Sequence, residues 1–129
     1  MARLLDHRLD FTRYSPARRC GVADIIEASG HCVWGMCFAI DDAGLATLDR
    51  IEGFAADSDA YRRVELTVEM ISTDCPEFTE RVWTYQVANP RPFIHPSPAY
   101  LRHLIEGALH WRLPKEWIHK LSSVAVQGS

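Results

Sequence analysis

The chain has 129 residues, 47% of them hydrophobic, and a formal net charge of −3. That length and apolar content suit one compact domain, residues 1–129, whose core needs no staples. Its fourteen basic residues are scattered, against seventeen acidic ones, which argues against a nucleic-acid or anionic-membrane surface.

No run of eighteen apolar residues exists to span a bilayer. The opening MARLLDHRLDF puts Asp6 and His7 where a signal peptide needs its apolar stretch, so a soluble, cytoplasmic protein is expected. Cys20, Cys32, Cys37 and Cys75 form no CxxC pair and match no zinc template; free, mostly buried thiols are expected. The histidines form neither HxH nor HExxH, so no metal site is expected.

In chain order, LLDHRLDFT alternates, with Leu5, His7, Leu9 and Phe11 on one face and Asp6, Arg8, Asp10 and Thr12 on the other. That pattern predicts a half-buried strand. CGVADIIEASG reads as a short strand or extended segment between glycines. VWGMCFAI, Val33 to Ile40, is apolar on both faces, as a central strand would be. DDAGLATLDRIEG predicts a helix with Asp41 or Asp42 as N-cap and Gly53 just beyond its end.

YRRVELTVEMI alternates, with Val64, Leu66, Val68 and Met70 inward. STDCPEFTE reads as a hairpin loop broken by Pro76, and RVWTYQVA as a further strand. SPAYLRHLIEGALHW has Ser97 as N-cap and Pro98 at the first helical position, with Leu101, Leu104, Ile105 and Ala108 as its apolar stripe. PKEWIHKLSS repeats the proline start at Pro114 and buries Trp117, Ile118 and Leu121, followed by a loose tail over 122–129. The expected class is α+β: a small, mostly antiparallel sheet or barrel flanked by helices.

Glu52, in LDRIEGF, carries the chemical interest. Positions 45, 48 and 52 are spaced i, i+3 and i+7, so Glu52 shares a helix face with Leu45 and Leu48. In the last turn it also faces the negative end of the macrodipole. Desolvation and that dipole both disfavour the anion, so its pKa is expected to rise toward the range of a general acid/base. The plain alternative is a helix that frays a residue early and lets Glu52 turn to water.

The run VWGMCFAIDDAGLATLDRIEGF, followed by YRRV, WTYQV, PSPAYLRHLIEGA and LPKEW, resembles the γ-glutamylcyclotransferase family, with its AIG2-like fold. ARLLDHRLDF and GVADI extend the likeness, which runs from Ala2 to about Leu121. The resemblance implies release of 5-oxoproline by attack of a γ-glutamyl α-amine on its own γ-carbonyl, with Glu52 as acid/base and no metal or organic cofactor. It implies a small-molecule γ-glutamyl substrate and a substrate contact from Tyr100, for which capping the edge of the core is the alternative. Trp34, Gly35 and Tyr85 either line the pocket or pack in the core, and Tyr61 either packs or closes over the site.

The family also opens with a strand and a Y-G-S-N loop whose amides grip substrate oxygens, and no Y-G-S-N occurs in these 129 residues. The expectation is an N-terminally short domain with a bare sheet edge or a slot open in a barrel, answered by a homodimer that covers it, a rearranged terminus or a lost fold. A start assigned too late, a natural short form and a dimer that completes the site are the competing explanations. The alternative function is a non-catalytic, small-ligand-binding or self-associating member of the same fold.

Overall fold

A computed structural model describes residues 1–51, with side chains through 48, and residues 61–72, 74 and 76–128. Strands β1 (Ala2–Ser15) and β2 (Cys20–Gly35) come first, then helix α1 (Asp42–Ile51). Strands β3 (Tyr61–Met70) and β4 (Phe78–Val87) follow, and α2 (Pro98–His110) and α3 (Lys115–Ser122) close the order. The class is α+β, as expected. The strands form one antiparallel sheet in the order β2-β1-β3-β4, and it is not closed into a barrel.

The sheet is two hairpins that barely touch along their shared border. β1 and β3 pair only at Ala2↔Met70 and Arg3↔Glu69. Within the first hairpin the ladder breaks twice, between Leu5 and His7 and between Phe11 and Arg13. At the first break Asp6 alone stands against Ala28, Ser29, Gly30 and His31. Asp6 takes φ 57° and Gly30 φ 81°, and the Gly30 amide donates to Asp6 Oδ1 at 3.1 Å. A bulge shifts which face later residues occupy. Leu4, not Leu5, is therefore buried near this end, and Leu5 is 49% exposed, contrary to the simple alternation.

Two further boundaries differ from expectation. CGVADIIEASG and the first residues of VWGMCFAI are one continuous strand, and that strand ends at Gly35; Met36–Ile40 are irregular. β2 is also an outer strand of the described sheet, not a central one. Phe78, Thr79 and Glu80, read as loop, begin β4, because their partners on β3 continue the ladder to Met70↔Phe78.

The helix starts follow the caps. Asp41 Oδ1 accepts from the Gly44 amide at 2.7 Å, so Asp41 is the cap of α1. Ser97 Oγ accepts from the Tyr100 amide at 3.1 Å ahead of Pro98. Pro114 occupies the cap position of α3 with no side-chain bond. Gly53, the expected stop of α1, lies outside the described residues.

Two apolar clusters hold these elements. Ala108, Leu113, Trp117 and Leu121 bury against Leu9, Val33 and Trp34, which docks α2 and α3 on the first hairpin. Ala2, Leu4 and Val68 bury against Ile25, Leu66 and Val82, which joins the two hairpins. The tail, expected loose, is tied down: the Gln127 amide donates to the Pro96 carbonyl at 3.0 Å and its side chain to the Arg19 carbonyl at 2.9 Å.

Candidate functional site

The border between the hairpins is where space opens. Because β1 and β3 pair only at one end, their side chains leave a hollow of about 170 Å³ between them. Its walls are Ala2, Leu4, Ile25 and Val33 on one side and Leu66, Val68 and Val82 on the other. Trp34, Gly35, Met36, Cys37, Trp83 and Thr84 complete it, and no charged side chain among the described residues lines it. A second, larger hollow of about 580 Å³ adjoins it, sharing Met36, Cys37, Val82 and Trp83 as walls. There the irregular segment Phe38–Ile40, Leu48 of α1, Glu80 and Arg81 surround the space.

Trp34 is held from the solvent side. The Arg3 guanidinium lies 5.3 Å from the centre of its ring, and Arg3 Nε donates to Glu69 Oε1 at 3.0 Å. Trp34 is thus fixed at the short seam that ties β1 to β3. Cys37 stands between the hollows, and burial pushes its thiol pKa up. A thiol raised in this way stays protonated and behaves as apolar lining.

The far end of the border is closed by a buried carboxylate. Asp24 is 5% exposed, and its Oδ1 accepts from the Ile25 amide at 2.9 Å and the Val87 amide at 3.0 Å. Thr12, buried at the second bulge, donates its hydroxyl to Asp24 Oδ2 at 2.8 Å. Gln86 adds a bond from Nε2 to the Ile25 carbonyl at 3.2 Å. One side chain therefore clasps β2, β1 and β4 together. Sequence reading passed over Asp24, whose only signal was a lone carboxylate within the apolar run GVADII.

The structure distributes the sequence-predicted residues unevenly. Trp34 and Gly35 line the inner hollow together, and Leu48 stands on the wall of the outer one at 37% exposure. Tyr85 is half-buried on β4 and lines neither hollow. Tyr100 lines neither: its hydroxyl accepts from the Ala23 amide at 2.9 Å, and its ring packs edge-on to Phe11 with Arg18 over its face. Together with the His95 carbonyl, which accepts from the Gly21 amide at 2.9 Å, that hydroxyl covers the start of β2. Tyr61 has the Arg13 guanidinium over its ring at 5.4 Å. Glu52 lies outside the described residues. No helix among them is long and apolar enough to cross a membrane, and no group of histidine, cysteine and carboxylate side chains among them could hold a metal ion.

An α+β domain built from two hairpins, with helices on one and an apolar hollow between them, defines the structural class. Residues 32–121 match the model of the AIG2-like family, and the chain belongs to that family. It is similar to the gamma-glutamylcyclotransferase of Bos taurus, 34% identical over 128 residues. The Homo sapiens protein of the same name is 30% identical over 128 residues. These matches cover 96% of this chain, and the chain spans 64% of each relative's length. A solved structure titled "Gamma-glutamyl cyclotransferase" superposes with a TM-score of 0.84 at 29% identity, covering 99% of this chain and 74% of that one.

Proposed function

We propose that this protein is an enzyme of the γ-glutamylcyclotransferase type, converting a γ-glutamyl amino acid or amine into 5-oxoproline and the free amine. The observation that carries the reading is its 34% identity, along nearly the whole chain, to a protein named for that activity. The joined hollows beside Leu48 support it structurally, since they offer a small molecule a recess next to the end of α1. Glu52 follows Leu48 by four residues, one helical turn in sequence spacing.

Glu52, as carboxylate, takes a proton from the α-ammonium of the substrate. The freed amine attacks the γ-carbonyl carbon, forming the ring N–C bond and placing negative charge on the carbonyl oxygen. As the carbonyl re-forms, the bond to the leaving nitrogen breaks and Glu52 returns its proton to that nitrogen. The second proton left on the ring nitrogen then passes through the same carboxylate to the released amine, which departs as an ammonium. Tethering the nucleophile to its electrophile supplies much of the acceleration, and proton transfer remains for the enzyme to manage. Glu52→Gln is expected to lower kcat by at least about a hundredfold, in line with general acid/base catalysis. Release of 5-oxoproline from γ-glutamyl-alanine measures it, and unchanged release would remove Glu52 from the mechanism.

A cytoplasmic location, a link to glutathione metabolism and a two-fold dimer belong to the same reading. The dimer draws support from β4, an outer strand of the described sheet with Phe78 and Trp83 half exposed. Light scattering at micromolar concentration tests it, and a monodisperse monomer would count against it. The second reading, a non-catalytic ligand binder, is favoured by Tyr100, whose hydroxyl contacts backbone and whose ring contacts Phe11. A folded sample that releases no 5-oxoproline from any γ-glutamyl compound would decide for it.

A further inference from the structure

The two hollows differ in chemistry as well as size. The outer one has both an acidic and a basic side chain at its wall, Glu80 and Arg81, and it is the one that α1 borders. The inner one is walled by Leu4, Ile25, Val33, Leu66, Val68 and Val82, among others, and no acidic or basic side chain among the described residues lines it. A γ-glutamyl head carries an α-ammonium and an α-carboxylate, and burying either without a partner is costly. The head therefore belongs in the outer hollow, and what remains to fill the inner one is the substituent on the leaving nitrogen.

We propose that the inner hollow is a subsite for an apolar side chain on the leaving amine, so that the protein prefers γ-glutamyl compounds of aliphatic or aromatic amines and amino acids. This rests on the cyclotransferase reading above. The space, about 170 Å³, is the right size: an engineered apolar protein cavity of about 150 Å³ stays dry and takes up benzene. Cys37 at the junction, its thiol kept protonated chiefly by burial, adds apolar lining where the two hollows meet.

Two near-isosteric substrates test it on the full chain. γ-Glutamyl-leucine and γ-glutamyl-asparagine both carry the same charged head and the same leaving carboxylate, and they differ in the side chain alone. Leucine is expected to be favoured in kcat/KM by about tenfold or more, the scale on which apolar pockets discriminate. Val82→Phe, which adds a ring to the wall shared by both hollows, is expected to bring that ratio down toward one. Turnover of both substrates at equal kcat/KM overturns the subsite and leaves the cyclotransferase reading standing. Turnover of neither by a folded sample, with γ-glutamyl-alanine also inert, overturns both.

Discussion

The two hairpins share an antiparallel ladder, yet they are built on opposite plans. β3 and β4 pair at ten successive positions from Tyr61↔Val87 to Met70↔Phe78 without a register shift, and their alternation is the plain one. β1 and β2 are longer, break register twice, and bury Thr12 and Asp24 where the ladder is interrupted. The regular pair is a wall, whereas the irregular pair is bent to meet it at two places and stay clear between them. Irregularity here shapes the space in which a ligand can sit.

Breaking the irregular hairpin is expected to cost far more than trimming the regular one. The largest effect is expected at Gly21, where a Cβ would run into the backbone carbonyl of Ile94. Gly21→Ala is expected to destabilise by about 3 kcal/mol or more, since backbone on both sides leaves little room to relax. Urea denaturation reads this as a lower midpoint.

Asp24→Ala comes next. It leaves the amide of Val87 and the hydroxyl of buried Thr12 without their acceptor, at a cost of about 2–4 kcal/mol. Asp24→Asn keeps an acceptor and is expected to recover part of that loss. If Ala and Asn unfold at the same denaturant concentration, the carboxamide recovers nothing and the clasp assigned to Asp24 is wrong.

Smaller effects sharpen the same contrast. Ser97→Ala removes the cap ahead of Tyr100, whose hydroxyl covers the Ala23 amide, and about 1 kcal/mol is expected. On the regular hairpin, Glu65 and Arg81 face one another as an ion pair whose arginine is 77% exposed. Replacing both by alanine is expected to move stability by less than about 1 kcal/mol. A loss as large as that at Asp24 would erase the distinction between the hairpins.

The same contrast explains what could be read in the sequence. The alternation of YRRVELTVEM survives from Val64 to Val68 because nothing in β3 interrupts the pleat. In LLDHRLDFT the alternation looks equally clean, but Asp6 turns to positive φ and resets it, so Leu5 lands outside. A bulge is specified jointly by both strands, here by Asp6 with Gly30, and a single segment cannot announce it. The helix caps were legible at Asp41 and Ser97 because a cap is decided within four residues.

The candidate site was legible only where it depended on local chain. Trp34 and Gly35 reach the hollow because they are adjacent to the strand end that borders it. Tyr100 looked ready for a ligand from its place in the first turn of α2. Its partner, the Ala23 amide, is 77 residues away in sequence and could not be read from either segment. Asp24 was missed for the same reason, since its meaning comes from Val87, 63 residues on.

One consequence follows from a border whose described hydrogen bonds lie at its two ends, with apolar packing between them. Each hairpin closes between chain neighbours, an inexpensive loop closure, while the seam at Ala2–Arg3 and the clasp at Asp24 bring together residues more than sixty positions apart. The halves can then part like the covers of a book while each ladder stays zipped, as a cooperative sub-unit of the structure does. Amide hydrogen exchange should show it, with Val87, whose amide donates to Asp24, exchanging well before the other amides of the β3–β4 ladder, and entry to the inner hollow would then need hinge opening alone.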